Sequence, residues 1–132
     1  MDDIIYPTVE LITYYNTIAI EMFRKSKHDQ AITIEAAFIR NAIETVQNAE
    51  GDLYDKAAVL LQRLTQAHAF ESGNKRTAFL STKKFVLMNH GKFNIPDSIN
   101  NAKVMIGIRE NYYTRTELRM WIEHGKIKEF RR

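Results

Sequence analysis

The chain has 132 residues and no cysteine, so disulfide staples and thiol nucleophiles are both excluded. That suits a reducing compartment. It has only two prolines and five glycines, which leaves little room for long structureless segments. No uninterrupted apolar run is long enough to cross a bilayer. The opening stretch MDDIIYPTVE is acidic and leads into no apolar signal core, so a cytoplasmic protein without a secretory leader is expected. Charge of one sign is not dominant either. Nineteen Lys and Arg stand against sixteen Asp and Glu, for a net charge of +3. A mildly basic surface of this kind is either plain solvated surface or a lure for anions such as nucleotides. What remains is ordinary: 45% apolar and 27% charged residues, enough for one globular domain spanning residues 1–132.

No repeat, low-complexity tract or linker divides the chain. Val9, Ile12, Tyr15, Ala19, Met22 and Phe23 recur at helical spacing over 8–24. Polar residues 25–30 break that pattern. Residues 31–34 (AITI) are short and rich in β-branched residues, and fit a small strand, with a hairpin near 26–34, or a simple lead into the next helix. A second helix is predicted over 34–49 with Ala37, Phe38, Ala42, Ile43 and Val46 inward, stopped before Gly51. A third, over 53–68, is apolar on nearly every side through AAVLLQRL, the mark of a helix in the middle of a bundle. A fourth is predicted over 74–91 and a fifth over 98–108. The last opens on the capping box Thr114-Arg115-Thr116-Glu117 and closes at Gly125. The fold class is therefore all-α, with about six helices.

Residues 68–77, HAFESGNKRT, carry the chemistry. A histidine ends a buried helix, a short loop with a glycine follows, and Asn74 is placed to cap a new helix. That helix has Lys75 and Arg76 in its first turn, against its dipole. Free first-turn amides, a glycine that allows close approach and two cations together suit a phosphate. A histidine facing that phosphate can take a proton from a hydroxyl near neutral pH. Each piece alone is ordinary helix capping; their spacing favours the functional reading.

The stretch resembles the Fic/Doc family signature, H-x-F-x-[DE]-[GA]-N-[GK]-R, matched by His68, Phe70, Gly73, Asn74 and Arg76. Lys75 matches the Doc branch, where lysine replaces the glycine usual in Fic enzymes. Phe79 stands where Fic enzymes carry a second arginine. The resemblance implies a helical transferase of the Doc toxin type. It would move a phosphate from ATP or another nucleoside triphosphate to a target-protein hydroxyl, with a translation factor as the characteristic target. AMP transfer is the Fic alternative. Catalytic roles fall to His68, Lys75 and Arg76. Phosphate binding falls to Gly73, Asn74, Lys75 and Arg76, and Phe70 anchors the loop. Mg²⁺ is implied as well, but the family's acid belongs at position 72, where this chain has Ser72. Either Ser72 or the adjacent Glu71 would then serve the metal, or the protein binds without turnover.

Arg24, Lys25 and Lys27 lie where the family places a flap over the target. A self-inhibitory [ST]-x-x-x-E-[GN] pattern is matched only in part, by Thr17 and Glu21 followed by Met22. Inhibition is therefore expected from a small antitoxin partner. No membrane or direct nucleic-acid partner is expected. His28, His90 and His124 read as caps or surface residues, and Tyr112, Tyr113 and Trp121 as packing.

Overall fold

The computed structural model describes residues 3–23 and 29–132. Its organising element is the helix whose sequence is apolar all round. Residues 57–61 are buried without a break, and Leu64 and Thr65 extend the buried face. This helix, α3 (Leu53–Ala67), packs against four others: α2 (Ala36–Asn48), α4 (Asn74–Met88), α5 (Asn101–Arg109) and α6 (Arg115–His124). The first helix, α1 (Val9–Phe23), lies on α4 and α2. The expected all-α class holds, with α3 and α4 at the centre.

Caps explain where the helices begin. Asp52 accepts the amides of Tyr54 and Asp55, and Asp55 returns the bond to the amide of Asp52, so α3 starts on a box of two aspartates. Thr114 and Glu117 form the expected box at α6. At the far end of α2 the buried Lys56 donates from Nζ to the carbonyls of Val46, Gln47 and Ala49, at 3.1, 3.3 and 2.6 Å. It thereby places a cation on the negative end of that helix dipole.

Four expectations need correction. Phe38 is 44% exposed. The inward stripe of α2 is Ile39, Ala42, Ile43 and Val46, and Phe38 is one residue, about 100°, round from it. Met22 is 68% exposed for the same reason of phase, since Ile12, Asn16, Ala19 and Ile20 face inward on α1. The fourth helix stops at Met88, short of Gly91. His90 takes the left-handed conformation (φ 65°), and the amide of Gly91 folds back to the carbonyl of Val86. The fifth begins at Asn101, because the Ser98 hydroxyl accepts the amide of Asn100 in a turn of its own.

Residues 24–28 of the flap region, with Arg24, Lys25 and Lys27, lie outside the described residues. The part of the 26–34 segment that is described makes one antiparallel bridge, Thr33 with Phe70. The amide of Ile34 donates to the carbonyl of Ala69 at 2.8 Å, and that of Glu71 to Ile32 at 2.9 Å. The extended segment is thus stitched to the loop after α3.

Arg119 of α6 forks onto both oxygens of Asp52 and reaches Asp55, tying α6 to the start of α3. The hydrogen bond from Arg119 lowers the Asp52 carboxyl to about 2. Asp52→Ala should cost about 1 kcal/mol of stability for the lost cap, with little added from the exposed ion pair. Because the folded carboxyl titrates below its unfolded value, the ion-pair part is present above roughly pH 4 and fades as pH falls towards 2. Urea denaturation of both proteins at pH 7 and pH 3 should show the gap narrowing in acid.

Candidate active site

The loop between α3 and α4 is built around one buried aromatic ring and one amide. Helix α3 ends at Ala67, and His68 turns the chain in the left-handed conformation at φ 52°, ψ 48°. A residue with a Cβ takes that conformation at a cost of roughly 1–2 kcal/mol, and such strain gathers where geometry serves function. Ala69 and Phe70 then drop into the core, both 2% exposed.

Asn74 clamps Phe70 from both sides. Its Oδ1 accepts the Phe70 amide at 3.0 Å and its Nδ2 donates to the Phe70 carbonyl at 2.8 Å. This corrects the expected capping role. The N-cap of α4 is Gly73, at φ 77°, and Asn74 is the first helical residue. No side chain caps this helix among the described residues.

The clamp also brings the histidine to the helix start. With Oδ1 and Nδ2 of Asn74 oriented by Phe70, the amide nitrogen faces His68 Nδ1 at 3.4 Å. At that length the contact is weak, and which group donates depends on the tautomer of the exposed ring. The first turn carries Lys75 and Arg76, both half-buried, and no acid. Desolvation lowers the Lys75 pKa, and the charge of Arg109 at the end of α5 lowers it further. The charge of Arg109, not foreseen from the sequence, thus acts on Lys75.

Helix α1 forms the floor. Asn16, 1% exposed, donates to the carbonyl of Ser72 at 2.9 Å and to Thr77 Oγ1 at 3.0 Å. A Cβ on Gly73 would stand 3.0 Å from Ile20 and 3.4 Å from the Asn16 amide, so glycine serves both the positive φ and the close approach of α1. Asn16 went unnoticed in the sequence. Its signal was a polar side chain between Ile12 and Ile20 on the apolar stripe.

The pattern over 68–77 and the helices around it belong to a known family. A model of the Fic/DOC family matches residues 6–86, from the strand-free lead into α1 almost to the end of α4. The chain belongs to the Fic/DOC family. No curated protein matches it. Fic/DOC proteins are generally transferases, and the matched span contains His68, the Phe70 anchor and the whole start of α4.

Phe79, where a second arginine stands in Fic enzymes, packs its ring 6.0 Å from Trp121 and 5.4 Å from Phe93, so position 79 serves the interior. Tyr112 and Tyr113 meet edge to face at 5.0 Å, as packing residues. Thr17 and Glu21 lie within α1. Two surface depressions, of about 400 and 360 Å³, are lined by residues near α6 and by residues between α2 and α3; neither is lined by residues 68–77.

The acid missing at position 72 is the remaining question. Ser72 Oγ stands 3.4 Å from Oδ1 of Asp29. Glu71 is exposed and pairs through its backbone with Ile32. Among the described residues no three His, Cys, Asp or Glu side chains cluster as a metal cage. Mg²⁺ needs no such cage when a nucleotide provides most of its oxygen ligands. One carboxylate and one hydroxyl beside a helix start that carries Lys75 and Arg76 fit that ion.

Proposed function

We propose that this Fic/DOC protein is a Doc-like phosphotransferase acting on a protein hydroxyl, with a nucleoside triphosphate such as ATP as donor. The observation that carries this reading is the clamp of Asn74, which sets His68 against an uncapped helix start bearing Lys75 and Arg76. In the transfer, the target oxygen attacks the terminal phosphorus and its proton goes to His68. The bond from that phosphorus to the bridging oxygen breaks, and nucleoside diphosphate leaves. Lys75, Arg76 and the amides after Gly73 stabilise the charge on the phosphate oxygens. Mg²⁺, held by oxygen ligands at the loop, would neutralise phosphate charge when bound.

Lys75 favours terminal-phosphate transfer over AMP transfer. It fills the space that a glycine leaves open in Fic enzymes, and with Phe79 packed on Trp121 no second arginine is present at that position. AMP transfer by the same residues is the second reading, and Ser72 in place of the acid supports a third, a module that binds without turnover. Incubation in cell extract with ATP labelled at the α or the γ position separates them. Label from γ alone on protein supports the proposal, label from α supports AMP transfer, and no label supports the silent module. A cytoplasmic setting, a translation-factor target and a small antitoxin that covers the site belong to the same proposal.

Arg76→Ala should weaken ATP binding by roughly 1.5–3 kcal/mol, the range of a charge-assisted hydrogen bond. Calorimetry on wild type and variant checks this; equal affinities would reduce the helix start to ordinary structure.

A further inference from the structure

We propose that Asp29 replaces the acid absent at position 72, and that the Asp29 carboxylate and the Ser72 hydroxyl together hold the Mg²⁺ of a nucleotide bound at the start of α4. This rests on the nucleotide reading above. Three observations carry it. First, Asp29 Oδ1 lies 3.4 Å from Ser72 Oγ, although the two residues are far apart in sequence. Neighbouring ligands of an octahedral Mg²⁺ stand roughly 3 Å apart, since each Mg–O bond is about 2.0–2.1 Å. The pair therefore needs little adjustment to share an ion.

Second, Ser72 is fixed. Its carbonyl accepts from the buried Asn16, and the next residue, Gly73, is the N-cap of α4. An ion between Asp29 and Ser72 thus sits beside the amides and cations that would hold phosphate oxygens. Third, the Glu71 side chain is exposed, while its amide pairs with Ile32. A carboxylate brought in from the segment before α2 meets the serine instead. The chemistry is that of a Mg²⁺ site made of one carboxylate, one hydroxyl, waters and nucleotide phosphates.

The test is calorimetric titration of ATP into wild type, Asp29→Ala, Asp29→Asn, Glu71→Ala and the double variant Asp29→Ala/Ser72→Asp, each in EDTA and in Mg²⁺. Wild type should bind more tightly with Mg²⁺ by about tenfold or more, the scale of one charge-assisted contact. Both Asp29 variants should match wild type in EDTA and lose the gain from Mg²⁺. Glu71→Ala should keep the gain. The double variant, which restores an acid at position 72, should recover it. Retention of the gain in Asp29→Ala overturns the proposal, as does its loss in Glu71→Ala. Weaker binding of the Asp29 variants in EDTA also overturns it, by making Asp29 part of the cradle. If wild type binds ATP in EDTA and Mg²⁺ adds nothing, the metal site fails and the nucleotide reading stands. If wild type binds ATP in neither buffer, both fail together.

Discussion

His68→Ala should fold as the parent does and transfer label 10²–10⁴-fold more slowly, the range supplied by a positioned general base. The two halves of this expectation have separate causes. The imidazole is exposed, so its removal opens no core cavity and unfolding free energy should stay within about 1 kcal/mol. Its contact with Asn74, at 3.4 Å, is too long to hold much stability. The backbone at φ 52° is strained for alanine as for histidine. His68→Gly is therefore the sharper companion. It should be as inactive as the alanine variant yet more stable than it by up to about 1 kcal/mol, because glycine takes the left-handed conformation freely. Urea denaturation, ATP calorimetry and label transfer on the three proteins give three independent readouts. ATP affinity should be unchanged in both variants. Normal transfer by either variant would remove His68 from the mechanism. Lost ATP binding would recast it as part of the proposed phosphate cradle.

Much of this was legible in the sequence, and the reasons differ from element to element. Helix α3 announced itself because residues buried on all sides must be apolar on all sides. The boxes at Asp52 and Thr114 are local chemistry, though only the second was read. The start of α4 was legible as a cluster of glycine, lysine and arginine. The role of Asn74 was not. Asparagine before a turn with Lys75 and Arg76 looks like a cap, and only tertiary structure reveals that its side chain reaches back to Phe70. Asn16, Asp29 and Arg109 were missed for a related reason. Each meets the site from a distant part of the chain, and nothing local marks a residue that acts across such a separation. Phe38 failed on phase alone. A helix with apolar residues at 38, 39, 42, 43 and 46 has more apolar surface than its inward stripe needs, and the outermost is left in solvent.

Phe70→Ala should be the most destabilising change in the loop, costing about 3–5 kcal/mol, as for other large aromatic rings removed from cores. The ring is 2% exposed and belongs to the main cluster with α3 and α4, so truncation leaves a cavity that neighbouring helices fill only in part. The backbone around it will not move freely to close the gap. Asn74 holds the Phe70 amide and carbonyl, and Thr33 bridges it from the extended segment. Those same restraints transmit the damage. His68 lies two residues before the ring and the α4 start four residues after it, so a loop that loses its anchor loosens both. Phe70→Leu, which keeps most of the volume, should cost about 1.5 kcal/mol or less and leave ATP affinity near the parent value. The alanine variant should show a lower urea midpoint with an unchanged slope, together with weaker ATP binding at low denaturant. A loss below about 1 kcal/mol in Phe70→Ala, outside the range for a filled core site, would mean that Asn74 holds the loop without the ring. Asn74→Ala would then be the variant that releases the histidine from the start of α4.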